Sequence, residues 1–79
     1  MPVLTIKQEN DEMFTLNAVK YHLTTREIDI VSCLCEGLTY EEIASKLNIS
    51  ENTVSRHVQN IYKKTGCSSR MALINKMYS

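Results

Sequence analysis

The residues best able to do chemistry in this chain lie in one stretch. Asn52, Ser55, Arg56, Gln59 and Lys63 recur at i, i+3, i+4, i+7 and i+11, a spacing that stacks them along one side of a helix. Their side chains suit the edges of base pairs: Arg matches guanine O6 and N7, Asn or Gln matches adenine N6 and N7, and Ser suits either. No carboxylate and no large apolar residue shares that face. Val54, Val58 and Ile61 fall at i, i+4 and i+7 on the opposite side and are expected to be buried. Most amphipathic helices turn a polar face to water, so polarity alone decides nothing. The lack of acids on the face, and the short helix and turn that precede it, favour a nucleic-acid surface.

Other reactive residues point nowhere as a group. Cys33 and Cys35 are two apart, and on a helix such neighbours aim in nearly opposite directions, so they cannot both face one ion. Three cysteines without a CxxC spacing fit structural thiols in a reducing compartment, and neither a metal nor a cofactor is expected. His57, next to Val58, has two readings, packing against the core or touching a phosphate. No nucleophile, base and orienting group can be assembled at these spacings, so the chain is not read as an enzyme.

Several signals define the elements that must hold this face. Thr24-Thr25-Arg26-Glu27 and Thr39-Tyr40-Glu41-Glu42 are two capping boxes, in each of which a Thr hydroxyl and a Glu carboxylate exchange hydrogen bonds with each other's backbone N–H. They open helices over roughly 25–36, with Ile28, Val31 and Cys35 as its apolar stripe beside Ile30 and Leu34, and over about eight residues with Ile43, Ala44 and Leu47 inward. Gly37 ends the former. After Asn48-Ile49, Ser50 caps a helix running to about Thr65 and closed by Gly66, and Ser68 or Ser69 caps a last one. A short helix, a tight turn and a longer helix form a helix-turn-helix. The expected fold is all-α, a four-helix bundle over residues 21–79. Residues 1–20 show only the partial alternation of VLTIKQ and EMFTLN, and are expected to be a poorly structured tail or a β-hairpin.

Seventy-nine residues make one domain, and a composition of 43% apolar and 23% charged residues is that of a chain that folds. No apolar run approaches the ~20 residues of a membrane span, and the N-terminus lacks the layout of a signal peptide, so a cytoplasmic protein without membrane contact is expected. The net charge is zero. Yet residues 1–49 hold four bases and eight acids, whereas residues 50–79 hold five bases and one acid. An anionic partner would sit on the basic end.

Residues 23–78 resemble the DNA-binding domain of LuxR/FixJ-type, GerE-like regulators. The matching stretches are Leu23-Thr24-Thr25-Arg26-Glu27, Glu36-Gly37-Leu38-Thr39, Glu42-Ile43-Ala44, Leu47-Asn48-Ile49-Ser50, Thr53-Val54, His57-Val58, Asn60-Ile61-Tyr62-Lys63-Lys64, Gly66 and Arg70, in the family's order and spacing. The resemblance implies a bundle whose third helix enters the major groove of double-stranded DNA. It assigns base reading to Ser55, Arg56 and Gln59, beside Asn52, and phosphate contacts to Thr39, Tyr40, Thr53 and Lys63, with Lys64 and His57 as further candidates. It also suggests that Glu27 and Arg70 approach each other. Ser55 and Glu41 stand where the family often has bases, which implies weaker non-specific binding and a smaller salt dependence than the family norm.

The last helix carries more apolar residues than one short helix needs. Met71, Ile74, Met77 and Tyr78 are therefore read as the face of a weak homodimer, the alternative being that they complete the protomer's own core. The expected function is sequence-specific transcriptional regulation on inverted half-sites, with RNA polymerase as a further candidate partner. The alternative is a helix-turn-helix that binds a protein and no DNA. Met1 and the weakly patterned first twenty residues suit a stand-alone protein, but a piece of a longer regulator would look similar.

Overall fold

The computed structural model describes residues 12–79, and those residues form five helices and no strand: α1 over 12–20, α2 Thr25–Cys35, α3 Tyr40–Leu47, α4 Glu51–Thr65 and α5 Arg70–Met77. The all-helical expectation holds with one helix more than the sequence suggests. Where the alternation in EMFTLN points to a strand or a loose tail, the chain is helical, and VLTIKQ lies outside the described residues. The reason is a stripe of mixed polarity. Phe14, Asn17 and Ala18, at i, i+3 and i+4, are all buried, and the polar Asn17 hides the helical period from a reading based on hydrophobicity. Asn17 is satisfied where it lies, because its Nδ2 donates to the Met77 carbonyl at 2.7 Å and ties α1 to the end of α5. Phe14 and Ala18 belong to the same core cluster as α2–α5, so α1 packs on that core.

The helix starts follow the sequence closely. In both capping boxes the reciprocal bonds form: Thr24 N–H donates to Glu27 Oε1 at 2.8 Å, and Thr39 N–H donates to Glu42 Oε1 at 2.8 Å, while each Thr hydroxyl accepts the Glu N–H. Ser50 caps α4 and Ser69 caps α5. The ends share a device as well. At His22, Gly37, Asn48 and Gly66 the backbone turns left-handed, and the residue after each donates its N–H back across the last turn, from Leu23 to Ala18, Leu38 to Cys33, Ile49 to Ala44 and Cys67 to Tyr62. This closure satisfies carbonyls that a helix end would otherwise orphan. At Gly66, with φ +71°, the absence of a side chain removes the steric cost of that turn, while His22 and Asn48 adopt it at φ +59° despite their Cβ atoms.

The core is the meeting of α2, α4 and α5 with α3 against α4. Ile30, Val31, Leu34, Ile43, Val54, Ile61, Leu73 and Met77 have no exposed surface. On α2 the inward stripe is Glu27, Ile30, Val31 and Leu34 with Cys33, rotated from the expected one, so that Ile28 and Cys35 are only half-buried. On α4 the expected Val54, Val58 and Ile61 are all buried. Thr65 is buried too, its hydroxyl donating to the Ile61 carbonyl at 2.9 Å.

Candidate nucleic-acid interface

Three residues, Asn48 to Ser50, join α3 to α4, and the left-handed Asn48 sets the angle between them. Burial of Val54, Val58 and Ile61 on one side of α4 fixes the rotation of the helix about its axis, which sends the opposite side outward. Asn52, Arg56, Gln59 and Lys63 are accordingly exposed, and Ser55 is half-buried at the edge of the same face. Asn52, Thr53, Arg56 and His57 line one recess near the start of α4, so two side chains suited to base edges and two suited to phosphates open onto a shared hollow. Thr53 and His57 are half-buried there.

One residue of this site escapes a reading of the sequence. Ser50 is legible as a cap, since its hydroxyl accepts the Thr53 N–H at 3.1 Å, but it also lies 2.8 Å from the Thr53 hydroxyl and so orients it. The spacing of Ser50 and Thr53 at i and i+3 is the signal that could have found it. At the start of α3, the Thr39 N–H and hydroxyl are both engaged in the capping box, although the hydroxyl hydrogen can still be donated. Tyr40 follows it, half-buried, and the exposed Glu41 and Glu42 make this end of α3 acidic.

Lys64, expected at a phosphate, is paired within the protein in this arrangement. Its Nζ lies 2.7 Å from Glu27 Oε1 and 3.1 Å from the His22 carbonyl, so its charge faces α2 at the protein surface. The same pair corrects the suggested approach of Glu27 and Arg70, because the cation on Glu27 is Lys64. Burial pushes the Glu27 carboxyl up, but the Lys64 and Thr24 hydrogen bonds and the Lys64 charge together outweigh it and hold the group below its usual range. One carboxylate thus caps α2 and binds α4 to it.

The expected dimer face on α5 is reduced in the same way. Met77 has no exposed surface and its carbonyl is taken by Asn17, so it belongs to the protomer's core and is unavailable to a partner. Ile74 is half-buried, while Met71 and Tyr78 are exposed. The Tyr78 ring lies 5.7 Å from that of Phe14.

Cys33 is buried and Cys35 and Cys67 are half-buried. Burial pushes the Cys33 and Cys35 thiols up, which keeps them protonated at neutral pH and makes them poor nucleophiles and ligands. Among the described residues no group of three His, Cys, Asp or Glu side chains is placed to hold a metal ion, and no helix is long and apolar enough to cross a membrane.

The chain is 48% identical over 50 residues to the nitrate/nitrite response regulator protein NarP of Escherichia coli, an alignment covering 63% of this chain and 23% of that protein. It is 47% identical over 58 residues to the fimbriae Z protein of the same species, covering 71% and 28%. A third relative, the probable transcriptional regulatory protein SgaR of Hyphomicrobium methylovorum, is 44% identical over 48 residues, covering 61% and 23%. The chain therefore spans about a quarter of the length of each of these three relatives. No solved structure matches it. The model of the GerE family, bacterial regulatory proteins of the luxR family, matches residues 21–77, which take in α2 to α5 and the exposed face of α4, and this chain belongs to that family.

Proposed function

We propose that this protein is a sequence-specific regulator of transcription, or the DNA-binding domain of one, that lays α4 in the major groove of double-stranded DNA. The observation that carries the reading is the pairing of a locked apolar back with an acid-free outer face on α4, directly after a three-residue turn. Arg56, Gln59, Asn52 and Ser55 read base edges; Lys63, Thr53, His57, Tyr40 and the Thr39 hydroxyl position the phosphates. Two copies bind inverted half-sites about one helical turn apart. The strip of Met71, Ile74 and Tyr78 on α5 is one candidate for the contact between them. Action in the cytoplasm, with RNA polymerase as a partner, follows from this role.

The electrostatic part of the binding is small. With Lys64 paired to Glu27, Arg56 and Lys63 are the cations of the α4 face, which gives a slope of log affinity against log salt of about −2 per protomer. The test is a fluorescence titration of duplexes selected from a random pool, repeated at several salt concentrations. Arg56→Ala is expected to cost roughly 1–3 kcal/mol and to relax one base position, whereas Lys63→Ala weakens every duplex alike and reduces the slope by about one. Affinity for duplex DNA that is absent, or that ignores salt, would falsify the proposal.

A further inference from the structure

Helix α1 is apolar on two sides. Phe14, Asn17 and Ala18 face the core, yet Leu16 is 63% exposed, Val19 70% and Met13 36%. On a helix of 3.6 residues per turn, Met13 and Val19, together with Glu12 and Lys20, project within about 60° of the Leu16 direction. These five residues make one outward face, and all five are exposed.

The face is symmetric about its centre. Met13 and Val19 stand three residues before and after Leu16, and Glu12 and Lys20 stand four before and after it. Reversing the chain direction therefore exchanges apolar with apolar and acid with base. A two-fold axis through Leu16 would set two such helices antiparallel, with Leu16 on Leu16, Met13 on Val19, and the Glu12 carboxylate on the Lys20 ammonium at both ends. A parallel pairing would instead oppose like charges at each end.

We propose that α1 is a self-complementary surface on which a second copy of this chain docks antiparallel. Lys20 lies over the Tyr21 ring at 5.4 Å, an exposed contact it can give up for a carboxylate. A contact centred on one short helix is far smaller than the ~800 Å² per partner of a standard interface, so the dimer is weak, with a Kd of about 10–500 μM. The surface shares no residue with the α4 face.

The test is sedimentation of the full chain without DNA, so its outcome is independent of whether α4 reads a duplex. Leu16→Lys is expected to weaken self-association by about tenfold or more. Glu12→Lys and Lys20→Glu, each alone, put like charges at both ends of the pair and weaken it about three- to tenfold. An equimolar mixture of those two variants restores association to at least the wild-type level, because one copy then carries cations at both ends of the face and the other carries carboxylates. Unchanged far-ultraviolet circular dichroism in all three variants is the control for folding. If it changes for one, association between the wild-type chain and the remaining variants, measured as their mixed dimers, decides in its place. The proposal is overturned by a wild-type chain that stays monomeric up to about 1 mM, or by a mixture no stronger than its separate components. Self-association that survives Leu16→Lys but is abolished by Met71→Glu overturns it equally, and assigns the contact to α5.

Discussion

Removing the Lys64 ammonium is expected to destabilise the protein far more than removing the Glu27 charge it neutralises. The Glu27 side chain is 4% exposed and that of Lys64 is 33% exposed. In Lys64→Ala the carboxylate loses its counter-ion and gains little water, keeping the contacts with Thr24, whose N–H lies at 2.8 Å. Breaking a buried ion pair from one side costs roughly 3–5 kcal/mol, and the surviving bond and the partial exposure of the cation bring the expected loss to about 2–3 kcal/mol. At ~4–8 °C per kcal/mol for a domain of this size, the Tm falls by about 8–24 °C. In Glu27→Gln the amide oxygen still accepts the Thr24 N–H, as a glutamine does in a capping box, and the ammonium turns to water, so the loss is nearer ~1 kcal/mol.

The two variants also differ in their response to acid. In the wild type the Glu27 carboxyl is held below its usual value of 4.5, so its contribution is complete above that pH and is lost as pH falls through the lowered value. Without Lys64, its hydrogen bond and its charge no longer lower the group, so the folded variant takes up a proton at higher pH than the folded wild type does. The deficit of Lys64→Ala is therefore largest near neutrality and narrows towards pH 4. Urea denaturation of both variants at the two pH values measures this directly. Equal losses in the two variants, or a Lys64→Ala deficit that does not shrink in acid, would show that the pair does not hold α2 to α4 in the way described.

Other substitutions probe single links. Asn17→Ala, which leaves the Met77 carbonyl without its donor, should cost about 1–3 kcal/mol in urea denaturation, and more than the exposed Thr15→Ala beside it. Gly66→Ala meets no neighbouring atom but must hold φ +71°, so a loss of ~1–2 kcal/mol is expected from backbone strain alone. Ser50→Ala removes the α4 cap and the partner of the Thr53 hydroxyl; thermal melting should register ~1 kcal/mol, and DNA affinity should fall by more than that stability loss predicts.

The parts of the fold that were legible are those with a local cause. The capping boxes at Thr24 and Thr39, the caps at Ser50 and Ser69 and the left-handed stop at Gly66 each depend on residues within one turn, and the chain carries them openly. Helix α1 was illegible because its buried stripe contains Asn17, whose burial becomes affordable only when the Met77 carbonyl arrives from 60 residues away. The pairing of Lys64 was hidden for the same reason: the sequence shows it only as a neighbour of Lys63 in a basic stretch, and the packing of α2 on α4 brings it to Glu27. The back of α4 could be read from Val54, Val58 and Ile61, and with it the composition of the outer face.

The four left-handed helix ends at His22, Gly37, Asn48 and Gly66 bear on the kinetics of folding. Each is closed by a hydrogen bond spanning five residues, so the direction in which the chain leaves one helix and enters the next is decided locally. Little loop entropy then separates a helix from its neighbour, which places the domain among chains of low contact order that fold in microseconds to milliseconds. Among the described residues, the last contacts to form are expected to be those that join α1 to α5, whose Asn17–Met77 bond closes 60 residues.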